Sequence, residues 1–138
     1  MRPQSIVLFE RITFAALLAN LLDGALKWDA TRDHMAKVSA NPAALLVLVF
    51  AAWFMVAAFL TLQVSRWRSN VAMWISIAVF AFSLPMTIMP FVNGAAIDSQ
   101  VIPALATLAQ IFAYGLLFTP SATRWMEGRP EISPEIFR

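Results

Sequence analysis

Long apolar runs separated by short polar stretches dominate the chain. Three of these runs contain no charged residue and reach the roughly 20 residues that a helix needs to cross a bilayer: residues 42–62, 71–92 and 101–119. A fourth run, residues 5–28, is long enough only when charged residues near its two ends are included. The pattern predicts an all-α membrane protein, a four-transmembrane-helix bundle formed by one membrane domain.

Composition agrees with this prediction. Of 138 residues, 60% are hydrophobic and 13% are charged, and the mean hydropathy is +0.71. A soluble domain of this size needs far more polar residues to cover its surface, so we expect lipid to cover most of it. The formal net charge of +2 comes from basic residues mixed with acidic ones, which is not the pattern of a nucleic-acid-binding surface.

The basic residues predict the orientation in the membrane, because short loops rich in Lys and Arg tend to remain in the cytoplasm. Arginines flank the start of the first span, the turn between the second and third spans, and the end of the fourth. We therefore expect both termini in the cytoplasm. Residues 29–41 and 93–100 would then form the outer loops. Small residues suited to signal cleavage are missing just after the first apolar core, so we expect that span to be retained.

Two features modify the simple bundle. Pro85 and Pro90 lie in the third span, where two missing backbone donors favour a kink. After the fourth span, Thr119 and a following proline predict a short helix over residues 120–127, with Arg124 and Trp125 suited to the membrane interface. Residues 128–138 are expected to form an extended tail.

The first span carries a polar stripe, and this is the chain's clearest candidate for function. Its members follow steps of three or four residues and so share one helix face: Glu10, Thr13, Ala16, Asn20, Asp23 and Lys27. In one interpretation the stripe is structural. Asp23 then pairs with Lys27 at one membrane edge, and Glu10 pairs with Arg66 or Arg68 at the other.

A second interpretation rests on depth in the membrane. Counted from the outer ends of their spans, Asn20, Ser83 and Gln110 lie in one layer, roughly 12 Å below the boundary at 1.5 Å per residue. These groups could form a hydrogen-bonded network between helices, or line a small polar pocket that opens outward past Asp23, with Tyr114 one turn deeper. Both alternatives remain open from the sequence.

Other chemistry is poorly represented. The chain has no cysteine, which excludes disulfides and thiolate sites, and its single histidine, His34, cannot supply paired haem ligands. Asp29 and Asp33 lie near His34, but we interpret this stretch as a solvated loop and not as a metal site. No nucleophile motif, phosphate loop or paired catalytic carboxylate is present. We expect no enzymatic activity, no catalytic residues, no cofactor and no metal.

The opening RPQSIVLFER at residues 2–11 and the LLFTPSA at residues 116–122, with Trp125 beyond it, resemble a group of small bacterial four-span membrane proteins. The resemblance covers most of the chain and implies the same bundle, but it carries no assigned function. The chain is also similar to small multidrug transporters in length, span number and an acid in the first span. It departs from them in the position of Glu10 and in lacking their glycine-rich pattern.

Two hypotheses for function follow. The first is a non-catalytic accessory or scaffold subunit of a larger inner-membrane assembly, with other membrane subunits or a second copy of the chain as partners. The second is a small transporter or ligand-binding bundle that uses the polar layer near its outer side. In both, the lipid bilayer is a partner and nucleic acid is not.

Overall fold

The computed structural model describes residues 2–94 and 97–128, and this part of the chain is helical without strands. In chain order the elements are α1 (Gln4–Leu26), α2 (Trp28–Met35), α3 (Pro42–Trp67), α4 (Asn70–Val92), a 3-10 helix (Ile97–Gln100), α5 (Val101–Leu117) and α6 (Pro120–Met126). Helices α1, α3 and α4, together with the 3-10 helix joined to α5, are long and apolar enough to cross a membrane. The predicted four-span helical bundle is confirmed.

Local signals explain where α3 begins and how the chain reverses between α3 and α4. Asn41 caps α3 by accepting a hydrogen bond from the backbone of Ala44 at 3.3 Å. The helix ends where Arg68 takes a left-handed conformation with φ of 54°. Ser69 follows directly and caps α4 through the backbone N–H of Ala72 at 3.1 Å. Two residues therefore reverse the chain, so α3 and α4 lie side by side.

The segment at 29–41, interpreted above as a solvated loop, is partly helical. α1 breaks at Lys27, and α2 begins at the next residue and packs against α3. Asp29 lies in the first turn of α2 and Arg32 in the last turn, 3.6 Å from the Asp29 carboxylate, which suits both the helix dipole and the pair spacing. The interpretation of this segment as a loop gave too little weight to the helix dipole and to the pair between Asp29 and Arg32.

The spans are arranged in a ring. α1 packs most extensively against α5 and also contacts α3; α3 packs against α4, and α4 makes a looser contact with α5. Alanines permit the close approach of α1 and α5, because Ala16, Ala106 and Ala113 are all buried. The space in the centre of the ring is therefore bordered by all four spans.

One end of the ring is tightly packed, and we call it the packed end. Its core contains residues from α1, α3, α4, α5 and α6: Ile6, Phe9, Val64, Ala72, Met73, Ala113, Leu117, Ala122, Trp125 and Met126. The Ser5 and Ser121 hydroxyls meet there at 3.1 Å, so the start of α1 and α6 share this end. We call the remainder of the bundle, toward α2 and the 3-10 helix, the open half.

The helix after the fourth span forms as expected, but its tryptophan lies elsewhere. Gly128, with φ of 72°, closes α6 by donating to Trp125 O at 3.1 Å. The indole of Trp125 is only 7% exposed, because α6 turns its apolar face onto the bundle and covers the packed end. Trp125 is therefore a core residue, and not the interface-facing one predicted above. The rest of the predicted tail, residues 129–138, lies outside the described residues.

α4 continues through both of its prolines. Each proline lacks the N–H that would bond a carbonyl one turn earlier. Two hydroxyls lie in this stretch and donate to backbone carbonyls: Ser83 to Phe80 O at 2.7 Å and Thr87 to Ser83 O at 3.3 Å. These bonds satisfy the two hydroxyls at membrane depth, while the carbonyls freed by the prolines belong to other residues, Ala81 and Met86.

Candidate functional site

A cavity of about 210 Å³ lies in the centre of the ring, and we call it the polar chamber. Seven hydroxyl-bearing and two amide side chains contribute to its wall: Thr13, Thr61, Ser76, Ser83, Thr87, Thr107, Tyr114, Asn20 and Gln110. Apolar and aromatic side chains complete the wall: Leu17, Trp53, Ala57, Leu60, Val79, Phe80 and Pro103. An apolar lining with a few convergent polar groups is typical of small-molecule sites.

Each span contributes one helix face to this wall. The contacts recur at steps of three or four residues, as they must on a helix: for α5 these are Pro103, Thr107, Gln110 and Tyr114. α4 contributes a similar series that includes Ser76 and Ser83. The polar residues of the spans are thus turned away from lipid, as the cost of burying polar groups in hydrocarbon requires.

The structure brings together four of the five residues proposed for the polar layer. Asn20, Ser83, Gln110 and Tyr114 all line the chamber. Asp23 does not line it; its carboxylate accepts a 2.8 Å hydrogen bond from the Lys27 ammonium. The depth argument therefore identified one real cluster, whereas the acid at its outer edge belongs to a separate ion pair.

Most hydroxyls of the chamber are bonded to the backbone of their own helix. Thr61 donates to Ala57 O at 2.8 Å, and Ser76 donates to Ala72 O at 2.7 Å. Ser83 and Thr87 are bonded in the same way. A hydroxyl that donates to its own helix still has lone pairs, so these groups can only accept further hydrogen bonds.

The two amides are different, because within residues 2–94 and 97–128 neither Asn20 nor Gln110 has a hydrogen-bond partner. The Thr13 residue is only 3% exposed, and its hydroxyl oxygen is also buried without a partner. Asn20 and Gln110 are partly exposed and border the cavity; a polar group without a partner is costly at membrane depth, and an amide offers both donors and acceptors. The predicted network between helices is not formed by these residues, which leaves their hydrogen-bonding capacity free for a ligand or water.

Tyr114 separates the chamber from the packed end. Its hydroxyl donates to Ser76 O at 3.4 Å, which joins α5 to α4. Its ring lies 5.1 Å from the Phe80 ring centroid and 5.9 Å from that of Phe9. Aromatic contacts at these separations are favourable. Tyr114 therefore lies between the chamber and the hydrophobic core of the packed end, and it borders both.

Within residues 2–94 and 97–128, no Asp, Glu, Lys, Arg or His lines the chamber. The charged side chains of α1 pair instead near the two ends of the helix. Glu10 is 2.6 Å from Arg2 and 3.4 Å from Arg66, and Asp23 is paired with Lys27. The chamber is therefore polar but uncharged, so it offers no counter-ion to a charged ligand.

Arg68 was proposed above as an alternative partner for Glu10. The structure places its guanidinium over the ring of Trp125, 4.9 Å from the centroid, which is a cation–π geometry. The reason is the left-handed conformation of Arg68 at the end of α3, which turns this residue away from the helix face that carries Arg66. Arg66 makes the pair with Glu10 and Arg68 does not.

Sequence reasoning missed several chamber residues, notably Thr61, Ser76, Thr87 and Thr107. Isolated hydroxyls are common in membrane helices and bond their own backbone, so each is a weak signal by itself. A stronger signal was available in α5, where Thr107, Gln110 and Tyr114 share one face. Following that face in both directions would have found Pro103 as well.

The fold and the site define a helical membrane protein with four potential spans and an uncharged polar chamber between them. No protein-family model, curated protein or solved structure matches the chain.

Proposed function

We propose that this protein is a non-catalytic membrane protein that binds a small uncharged molecule, or an uncharged group of a larger one, in the polar chamber. The observation that carries the proposal is the pair of unpartnered amides, Asn20 and Gln110, on the wall of one cavity. Both residues are partly exposed and border the cavity, and a polar group without a partner is costly at membrane depth, so the pair favours a site completed by a bound molecule.

The chamber's chemistry supports a specific class of ligand. A charged ligand would lose its hydration without gaining a counter-ion, because none of the described Asp, Glu, Lys, Arg or His side chains lines the chamber. Two amides and several accepting hydroxyls suit a molecule with hydroxyl or amide groups. Trp53, Phe80 and Tyr114 provide aromatic surface for its apolar parts.

The test is ligand-dependent stabilisation of the purified protein in lipid nanodiscs. A panel of small uncharged alcohols, polyols and amides is compared with carboxylates and amines of the same size by thermal unfolding. We expect only uncharged members to raise the melting temperature. Gln110→Leu, which keeps a similar size but removes both donor and acceptor, should abolish that rise.

Ile111→Leu is the matched control, because Ile111 is the next residue, is exposed and does not line the chamber. It should leave the rise in melting temperature unchanged. If charged and uncharged compounds stabilise equally, or if Gln110→Leu binds as well as the parent protein, the proposal is wrong. The same variants in liposomes would show whether binding leads to flux, as a small transporter requires.

An accessory or scaffold role in a larger membrane assembly is the second candidate. It is favoured by the exposure of α3 and α4. In the most apolar 18-residue stretch of each of these helices only 6% is buried inside the bundle, against 28% for α1. Two helices with so little contact inside the bundle leave wide apolar faces for lipid, for other subunits or for a second copy of the chain. Gentle extraction followed by native mass spectrometry tests this role, and a lone monomer without a stoichiometric partner would exclude it.

The proposed location is a bacterial inner membrane, with the packed end facing the cytoplasm. The arginines near that end support this orientation: Arg2, Arg11, Arg66, Arg68 and Arg124. The sequence has no cysteine, so single cysteines report orientation directly. Asn93→Cys should react with an impermeant maleimide on intact cells, whereas Asn70→Cys should react only after permeabilisation. The reverse result would invert the topology.

The resemblance of residues 2–11 and 116–122 to small bacterial four-span proteins fits this proposal. Ile6, Phe9, Leu117 and Ala122 from these two segments all belong to the packed end. The segments are therefore adjacent in space, as parts of one structural unit would be. The resemblance adds a structural expectation and no activity.

A further inference from the structure

Two further cavities, one smaller and one larger than the polar chamber, lie beside it toward the surface of the bundle. A cavity of about 150 Å³, which we call the junction, shares Leu17, Asn20 and Trp53 with the chamber. The junction in turn shares Leu21, Phe50 and Phe54 with a larger cavity of about 340 Å³. The three spaces therefore share lining residues and lie next to one another in one line, which we call the path, with Asn20 at the boundary of the polar part.

The largest of these spaces lies between α1, the start of α2 and α3, and we call it the apolar groove. Its walls are aliphatic and aromatic: Leu21, Ala25, Trp28, Val47, Phe50, Ala51 and Phe54. Leu21 and Val47 are 42% and 58% exposed, so the groove is open on the side that faces lipid. The path thus changes from apolar at the bilayer to polar in the centre of the ring.

This change in polarity has a natural counterpart in a molecule with one apolar chain and one uncharged polar group. The chamber of about 210 Å³ is smaller than the roughly 300–1,000 Å³ of ordinary small-molecule sites, so it suits a head group better than a whole ligand. The apolar groove is larger and offers hydrocarbon contact along α1 and α3. In the described part of the chain, no Asp, Glu, Lys, Arg or His lines any of the three spaces.

We propose that the ligand is an uncharged single-chain amphiphile, such as a long-chain alcohol or monoacylglycerol, which enters from the bilayer between α1 and α3. Its hydroxyl groups bond Asn20 and Gln110 in the chamber, and its chain lies in the apolar groove. This inference rests on the proposed function, because it names the ligand class and the route for the same chamber.

The ring of Phe50 lies close to the backbone of α1 at Gly24, beside the groove. Gly24 lies on α1 opposite Phe50, and a Cβ on Gly24 would be 2.7 Å from Phe50 Cζ. The ring of Phe50 can therefore rest against α1 only because Gly24 has no side chain. Phe50 lines both the groove and the junction, so its ring stands where a chain would pass from one to the other.

The experiment is photo-crosslinking in phosphatidylcholine nanodiscs with a monoacylglycerol that carries a diazirine in its chain. Two probes with the same chain and diazirine serve as comparisons, a fatty acid and an alkane. We expect the monoacylglycerol to label peptides of α1 and α3 about tenfold more strongly than either comparison probe, a preference of about 1.4 kcal/mol. Excess unlabelled monoacylglycerol should compete, and excess glycerol should compete far less.

Variants separate the chamber from the groove. Ala51→Trp fills the groove and should reduce labelling at least fivefold, whereas Ala52→Trp is the matched control, since Ala52 is the next residue, exposed, and outside all three spaces. Gln110→Leu should remove the preference for the monoacylglycerol over the alkane.

Three results would overturn the inference, and they are distinguishable. Equal labelling by the alkane would mean that the groove holds only bulk lipid chains. If short polyols stabilise the protein in a Gln110-dependent way while Ala51→Trp labels normally, the chamber binds a small ligand and the lateral route is wrong. If Gln110→Leu changes neither labelling nor stabilisation, the proposed function fails as well.

Discussion

At the packed end, side chains from five helices surround Phe9 and Trp125, both almost fully buried, whereas in the open half the same spans separate around the polar chamber. The difference arises from side-chain size and polarity. Large apolar side chains meet small ones at the packed end, and α6 covers it. In the open half, most hydroxyls bond the backbone of their own helix, the Tyr114 hydroxyl bonds Ser76 O on α4, and the contact between α4 and α5 is otherwise loose.

This comparison suggests a division of roles within a very short chain. Helix association in lipid depends on packing and on polar contacts between helices, because lipid tails are as apolar as leucine. One well-packed end can then hold the bundle together while the other half keeps a cavity. Regions that bind or move are expected to be the less stable parts of a structure. The following changes test that division, in order of decreasing expected effect.

The largest effect is expected for Phe9→Ala at the packed end. Phe9 is 1% exposed and contacts Tyr114, so truncation leaves a cavity at the meeting point of several helices. We expect the free energy of unfolding in mixed micelles to fall by about 3 kcal/mol. Phe82→Ala is the control, because Phe82 is 84% exposed and should change stability by no more than about 0.5 kcal/mol. Equal losses would contradict the existence of a distinct packed end.

A smaller effect is expected for Gly24→Ala in the open half. The added methyl group meets the Phe50 ring, which must move, so we expect a loss of about 1 kcal/mol in the same assay. Gly115→Ala is matched to it, because a Cβ there meets nothing within 4 Å. That control should gain up to about 1 kcal/mol from better helix propensity. If both variants stabilise the protein, the Phe50 ring is not held against α1.

Glu10→Gln tests the charged contact at the edge of the packed end. The carboxylate lies between Arg2 and Arg66 and so connects α1 with the end of α3. Both arginines are partly exposed, which limits the expected loss to about 0.5 kcal/mol at low salt. The difference from the parent protein should shrink in high salt. Asp33→Asn, at a carboxylate that is 75% exposed on α2, should have no measurable effect on unfolding.

The smallest effect on stability is expected for Thr13→Val on the chamber wall. The Thr13 hydroxyl has no partner, so replacing it with a methyl group of similar shape removes no hydrogen bond. The free energy of unfolding should not fall, and a rise of up to about 0.5 kcal/mol is expected because the cost of a buried hydroxyl without a partner is removed. A loss above about 1 kcal/mol would mean that the open half depends on this hydroxyl for its stability.

Much of the fold could be predicted from apolar runs, and part of the site from depth along the spans. Asn20, Ser83, Gln110 and Tyr114 were placed together because a helix converts residue number into depth at a constant rise. Depth does not specify direction around the helix axis. Asp23 has a suitable depth and lies outside the chamber, whereas Thr107 lines it and could be recognised only from the helix face that it shares with Gln110 and Tyr114.

The amino-acid sequence by itself determined the class of protein and the number of potential spans, because a helix satisfies its own backbone hydrogen bonds and lipid selects for apolar length. It also determined the local pair between Asp23 and Lys27, whose spacing along one helix is sufficient. The tertiary structure alone decided that α6 buries Trp125, that Arg68 stacks on that ring, and that the chamber leads to an apolar groove. These features depend on how faces of separate helices meet, and apolar faces that suit lipid and protein equally well do not reveal which of the two they contact.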